Sequence, residues 1–223
     1  MIGELRSALE AVAVADDAVP MQAYMKDIAP YLGVKTPARR AASKATIRSL
    51  KGASGDDLIL FAEQCWREPE REFQYVGCDA LGMYRAALDM SHLGDVRDLI
   101  TAKSWWDTVD ALAPNVVASI VFDEPHGWRT VDSWIDEDNM WLARSSILQQ
   151  LKYKTATNQD ILFDRCLRRG HDKQFFIRKA IGWALRNHSY VAPVSVRDFV
   201  AEHLDQLQPL SIKEATRRLR APT

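Results

Sequence analysis

Apolar residues recur at three- and four-residue spacing along most of this 223-residue chain, in segments parted by short breaker-rich stretches. That is the helical period, and no segment shows the sustained alternation of a strand. Helices are predicted over residues 36–50, 56–67, 70–88, 104–122, 139–153, 157–169 and 173–188. The first opens on Thr36-Pro37, a capping residue followed by a proline whose missing N–H is harmless in a first turn. The breakers are Gly52-Ala53-Ser54-Gly55, Pro69, Gly94, Pro125-His126-Gly127, Gly170 and Pro193. Connections this short favour antiparallel neighbours.

A longer period is superimposed. Trp106, Trp141 and Phe176 follow one another at 35 residues, each near the start of a predicted helix. Arg144 and Lys179 come three residues after the latter two, and Val109 takes that place after Trp106. Leu112 and Ile147 continue the register. A period near 35 with two helices per unit marks an α-solenoid, because each unit must bury its apolar face on the next. The expected fold is therefore all-α, an array of antiparallel helix pairs. The helices starting near 104, 139 and 173 would line its concave surface. Residues 1–223 are read as one domain, an N-terminal helix over 1–18 followed by the repeat array over 19–223.

Composition narrows the function classes. No run approaches 18 apolar residues, so no membrane span is expected. The start of the chain lacks a basic segment followed by an apolar run, so no secretory signal is expected, and the protein is placed in the cytoplasm. Cys65, Cys78 and Cys166 read as buried reduced thiols. No CxxC, HExxH or histidine cluster is present, and neither a metal nor a cofactor is expected. The net charge of −1 hides an uneven distribution. Between Ile28 and Gly55 there is no acid, but there are Lys35, Arg39, Arg40, Lys44, Arg48 and Lys51. A second basic concentration runs from Arg165 to Arg186, and a third comprises Arg217, Arg218 and Arg220. The last suits either a phosphate or the negative end of a helix dipole.

Several side chains could carry chemistry. Trp106 and Asp110 are four residues apart and share a helical face. Lys179, Trp183 and Arg186 share another, and Arg144 sits at the matching place in its own helix. No Ser/His/Asp set and no glycine-rich phosphate loop is present, so acyl transfer and nucleotide hydrolysis fit poorly. Cations flanking aromatics suit a nucleic-acid backbone. One carboxylate among them suits a cationic transition state, such as the sugar formed when an N-glycosidic bond breaks. A base already made cationic by alkylation leaves without a general acid. On these residues alone, the tryptophans could equally be core and Asp110 a capping or ion-paired group.

Seven segments decide between these readings: MQAYMKD, LGVKTPARR, EPEREFQ, KSWWDTVD, NMWLARSSILQQLKYK, QFFIRKAIGWALR and PLSIKEATRRL. Together, from Met21 to Leu219, they resemble the AlkD-like DNA alkylation repair glycosylases built of HEAT-like repeats. The resemblance implies a right-handed superhelical solenoid that holds duplex DNA in its concave face. It further implies a monofunctional glycosylase that removes cationic alkylpurines such as 3-methyladenine and 7-methylguanine, acting as a monomer without an obligate protein partner. Asp110 then resembles the family's catalytic carboxylate, facing the deoxyribose and positioning water. Trp106 and Trp183 resemble its two aromatics against the nucleotide, Arg144 its phosphate-binding arginine, and Tyr24 its tyrosine near the DNA. Lys35 is a departure, since a better-known relative of that family has glutamine there. Lys35, Arg39, Arg40, Lys179 and Arg186 are expected to meet phosphates. Two other functions remain compatible with a helical array, a DNA-structure sensor without chemistry and a protein-binding scaffold. Trp66, Trp128, Trp134 and His188 are expected to serve packing.

Overall fold

The computed structural model describes residues 1–219, so that Arg220 lies outside the described residues. Among these all regular structure is helical. The chain divides into two compact units, Met1–Leu112 and the part from Ala113 onward. The first holds α1 (Ile2–Glu10), α2 (Ala15–Tyr24), α3 (Thr36–Ser49), α4 (Gly55–Arg67), α5 (Arg71–Met83), α6 (Leu93–Thr101) and α7 (Trp106–Leu112). The second begins with a π-helical turn, Ala113–Val117. It continues with α8 (Ala118–Val121), α9 (Pro125–Ser133), α10 (Met140–Leu148), α11 (Gln159–Arg168), α12 (Phe175–His188), α13 (Pro193–Glu202) and α14 (Pro209–Ala215).

Local sequence accounts for several helix starts. Ser54 caps α4 in a reciprocal box: Asp57 N donates to Ser54 Oγ at 3.1 Å, and Ser54 N donates to Asp57 Oδ2 at 3.3 Å. Asn139 and Asn158 accept from backbone N–H groups in the first turns of α10 and α11. Pro125, Pro193 and Pro209 stand in the first turns of α9, α13 and α14.

The sequence reading places breaks between helices at Pro125 and Pro193, whereas each opens a helix. A proline in a first turn starts a helix as readily as it ends one. Gly94 likewise lies inside α6, because a single glycine weakens a helix without stopping it. The helix predicted over 104–122 is interrupted. Pro114 has no N–H to donate and its ring crowds the preceding turn, and here the backbone widens into the π-turn. The segment 70–88 ends as a helix at Met83, and 139–153 ends at Leu148. The N-terminal helix over 1–18 is two helices, broken between Ala11 and Val14.

The 35-residue period extends beyond the three aromatics. In the first unit α3, α5 and α7 begin at Thr36, Arg71 and Trp106. In the second α10, α12 and α14 begin at Met140, Phe175 and Pro209. Within the first unit α1 packs on α3, α3 on α5 and α5 on α7, while α4 covers α5 and α6. Within the second, α10 packs on α12 and α12 on α14, with α11 and α13 beside them. Each unit thus has the repeat arrangement expected of helix pairs. Leu58, Phe73, Val76, Leu81, Ile100 and Val109 fill the first core; Ile147, Ile177, Ile181, Leu185 and Val196 fill the second. Trp66 and Trp134 are buried, and the Trp66 indole donates to Leu99 O and Ala102 O at 3.0 and 3.1 Å. Trp128 packs edge-on against Tyr153, with centroids 5.9 Å apart. His188 is buried and bonded to Gln159 at 3.2 Å, and all three cysteines are buried and free.

Polar contacts tie successive repeats. Glu72, fully buried in α5, accepts from three consecutive N–H groups, Leu32 at 3.1 Å and Gly33 and Val34 at 3.0 Å. This fixes the loop ahead of α3. Gly33 has φ +85°, and a Cβ there would stand 2.1 Å from Val14 O. At the other end Glu214 of α14 joins Lys179 at 2.8 Å and also accepts from Arg186, both on α12. Gly182 permits this closeness, since a Cβ there would come within 2.4 Å of Glu214 Cβ.

Two predictions follow from these ties. Gly33→Ala combines left-handed strain with a backbone clash and is expected to cost about 2 kcal/mol or more in chemical unfolding. The hydrogen bond from Lys179, then that from Arg186, holds the Glu214 carboxyl below its usual range despite burial. A native pKa below the unfolded value of about 4.3 stabilises the fold at higher pH, and the benefit vanishes as pH falls through the native value. Glu214→Gln should therefore lower Tm at neutral pH, with the gap from wild type closing as pH is taken from about 5 towards 3.

Candidate nucleic-acid interface

Helix α7 carries the central residues of the first unit. Its inner side, Thr108, Val109 and Leu112, is buried, while Trp106 and Asp110 are half-buried on the opposite side. A helix turns about 100° per residue, which sets Asp110 between Trp106 and Asp107 around the axis. Tyr24, the last residue of α2, is 73% exposed and meets the Trp106 ring edge-on, with centroids 6.4 Å apart and planes at 83°. The sequence-expected trio of Tyr24, Trp106 and Asp110 thus gathers at one place on this unit. An exposed phenol and a half-buried indole beside a carboxylate can receive a flat or sugar-like group and stabilise positive charge on it.

The neighbouring cations differ in accessibility. Lys35 is exposed and paired with Asp17 at 2.6 Å. Arg40 is exposed and lies 3.7 Å from Asp79. Arg39 is a core group rather than a surface cation: it is buried, donates to Asp79 at 2.9 Å and lies over the Tyr75 ring at 4.7 Å. Lys44 and Arg48 continue the Arg40 spacing on the exposed side of α3.

In the second unit Arg144 is 4% exposed. Its guanidinium donates to Phe176 O in the first turn of α12 and lies 5.9 Å from the Phe176 ring. The Trp141 ring packs on the same phenylalanine at 5.1 Å. Two of the three aromatics that mark the 35-residue period are therefore in contact. Trp183 is half-buried against the core of this unit, between Lys179 and Arg186 on one side of α12. Those two cations share the single carboxylate of Glu214. That partner lies 28 and 35 residues away in sequence, beyond the reach of any local pattern.

The sequence reading also missed the groups beneath Trp106 and Asp110. Arg71, fully buried at the start of α5, donates from Nε to Asp107 Oδ2 at 3.0 Å and from Nη2 to the other oxygen. Its Nη1 donates to Lys103 O at 2.7 Å and its Nη2 also reaches Thr108 Oγ1 at 3.0 Å. Tyr75 donates to Asp107 Oδ2 at 2.6 Å and is itself 2.9 Å from the Tyr31 hydroxyl. Burial would lower the Arg71 pKa, but the hydrogen bond and charge of Asp107 outweigh it and the net shift is upward. Burial pushes the Tyr31 hydroxyl up to about 12. The available sequence signal was the repeat itself, since Arg71 precedes Trp106 by the same 35 residues.

Among the described residues no helix is long and apolar enough to cross a membrane. Among curated proteins none matches the chain. A family model described as DNA alkylation repair enzyme matches residues 5–219. A predicted DNA alkylation repair enzyme from Enterococcus faecalis is similar in structure, with a TM-score of 0.86 and 29% identity over 94% of this chain and 98% of that one. The crystal structure of smu.31 from Streptococcus mutans UA159 shares the fold, with a TM-score of 0.62 and 15% identity over 89% of this chain and 98% of that one. With a family model matching residues 5–219 and a similar helical fold in a predicted enzyme of that kind, the chain belongs to the DNA alkylation repair enzyme family.

Proposed function

We propose that this protein is a monofunctional DNA glycosylase that hydrolyses the N-glycosidic bond of cationic alkylpurines, such as 3-methyladenine and 7-methylguanine, in duplex DNA. The observation that carries the reading is Asp110, a half-buried carboxylate one helical turn from the half-buried Trp106, in a chain of the alkylation repair family. In the proposed reaction the bond electrons move to the alkylated ring, which leaves neutral. Positive charge develops on the deoxyribose, and Asp110 stabilises it. Water then adds to the anomeric carbon and gives up a proton to the carboxylate or to solvent. Trp106 and Trp183 serve as surfaces for the nucleotide. No metal, cofactor or protein partner enters the scheme, and the protein acts as a monomer on duplex DNA, in the cytoplasm.

In this reading Tyr24, Lys35, Arg40, Lys179 and Arg186 meet the DNA backbone, while the buried Arg39 and Arg144 add positive potential beneath the surface. Lys35, Lys179 and Arg186 then exchange carboxylate partners for phosphates, which makes binding steeply dependent on salt.

Asp110→Asn keeps the shape and removes the charge. It is expected to slow release of free 3-methyladenine and 7-methylguanine from methylated duplex by at least about 100-fold. Affinity for the same duplex should change less than about threefold, because phosphate contacts dominate it. Wild-type binding without base release would point to a DNA-structure sensor; neither binding nor release would leave a protein scaffold. Glu214→Gln frees two cations and should tighten DNA binding several-fold at low salt while steepening its salt dependence. Unchanged affinity and slope would remove Lys179 and Arg186 from the interface.

A further inference from the structure

Helix α7 has seven residues. It runs without a break into the π-turn at Ala113, so the end that receives the chain at Trp106 is its free end, and what that end is tied to helps orient it. The tie is unusually polar. Asp107, whose side chain is 8% exposed, accepts from two nitrogens of Arg71, from the Tyr75 hydroxyl and from Thr108 N at 2.8 Å. Arg71 also binds Lys103 O, so the loop entering α7 and its first turn are held by one side chain of α5. Since Tyr75 gives its proton to Asp107, Tyr31 donates to the Tyr75 oxygen and backs the chain from the loop ahead of α3. Asp107 flanks Asp110 around the axis at about 60°, opposite Trp106.

Two consequences follow. A buried network on the flank of Asp110 helps set its azimuth, together with the apolar packing of Val109 and Leu112. Asp107 would otherwise place a second negative charge one turn from Asp110, and the adjacent Arg71 guanidinium balances it. We propose that Arg71, Asp107 and Tyr75, with Tyr31 behind them, are positioning residues that aim Asp110 at the deoxyribose. This rests on the glycosylase reading above. The group touches no substrate and acts through the orientation of α7.

The test measures single-turnover base release and duplex affinity for wild type, Tyr75→Phe, Tyr31→Phe and Asp107→Asn, with a thermal melt for each. Tyr75→Phe keeps the ring and the Arg71–Asp107 pair but removes two hydrogen bonds, the one to Asp107 and the one from Tyr31. It is expected to lower the release rate about tenfold, the scale of a sub-ångström misplacement of a catalytic group, while the dissociation constant for DNA stays within about twofold. Asp107→Asn should behave the same way and Tyr31→Phe should show a smaller loss. If Asp107→Asn does not melt cooperatively, Tyr75→Phe decides alone. A wild-type release rate in Tyr75→Phe, or rate and affinity falling together, would overturn the positioning role while leaving the glycosylase intact. Absence of release by the wild type would remove the reaction and this inference with it.

Discussion

Burial between helices one repeat apart is the constraint on which the rest of this structure depends. A single pair such as α4 and α5 has two apolar faces and can cover one of them internally. The other must be covered by the next repeat, as α3 and α7 cover α5. The hydrophobic term is proportional to area and indifferent to direction, so it favours stacking without fixing which turn meets which. The helix starts at Thr36, Arg71 and Trp106 show that the stacking is nonetheless regular to the residue.

Buried charge supplies that regularity. Arg71 and Arg165 have no exposed surface, and both are held by a carboxylate of a neighbouring helix together with backbone carbonyls. Glu72 is satisfied by three amides of a single loop. Such groups contribute little net stability, since desolvation offsets most of their attraction, but leaving one without its partner is costly. A slip by one helical turn would separate Arg71 from Asp107 and Glu72 from its amides. The contacts of Arg71 that fix the register also hold the loop and helix that bear Trp106 and Asp110. Stability of the repeat and geometry of the candidate site are therefore set by one group of interactions.

The residues proposed for the interface divide by how they are held. Tyr24, Lys35 and Arg40 are exposed and loosely partnered, as suits groups that trade partners. Arg39 and Arg144 are enclosed by aromatics, carbonyls or carboxylates and have become part of the repeat packing. Residue type alone could not separate these classes, because arginine serves both phosphate binding and buried ion pairs with the same guanidinium fork.

The sequence by itself determined the helical class, the 35-residue period, the faces that gather Trp106 with Asp110 and Lys179 with Trp183 and Arg186, and the family. These are properties of spacing along one helix or of the chain as a string, so they survive without coordinates. Tertiary structure alone decided that Pro125 and Pro193 open helices, that Pro114 meets a π-turn, and that Arg39 and Arg144 are buried. It also decided that Glu214 holds Lys179 and Arg186, and that Arg71, Tyr75 and Tyr31 stand behind Asp107. Each of these pairings joins residues about one repeat or more apart. A local pattern is blind to them, because the free energy of a buried charge depends on partners that only the stacked repeats bring near.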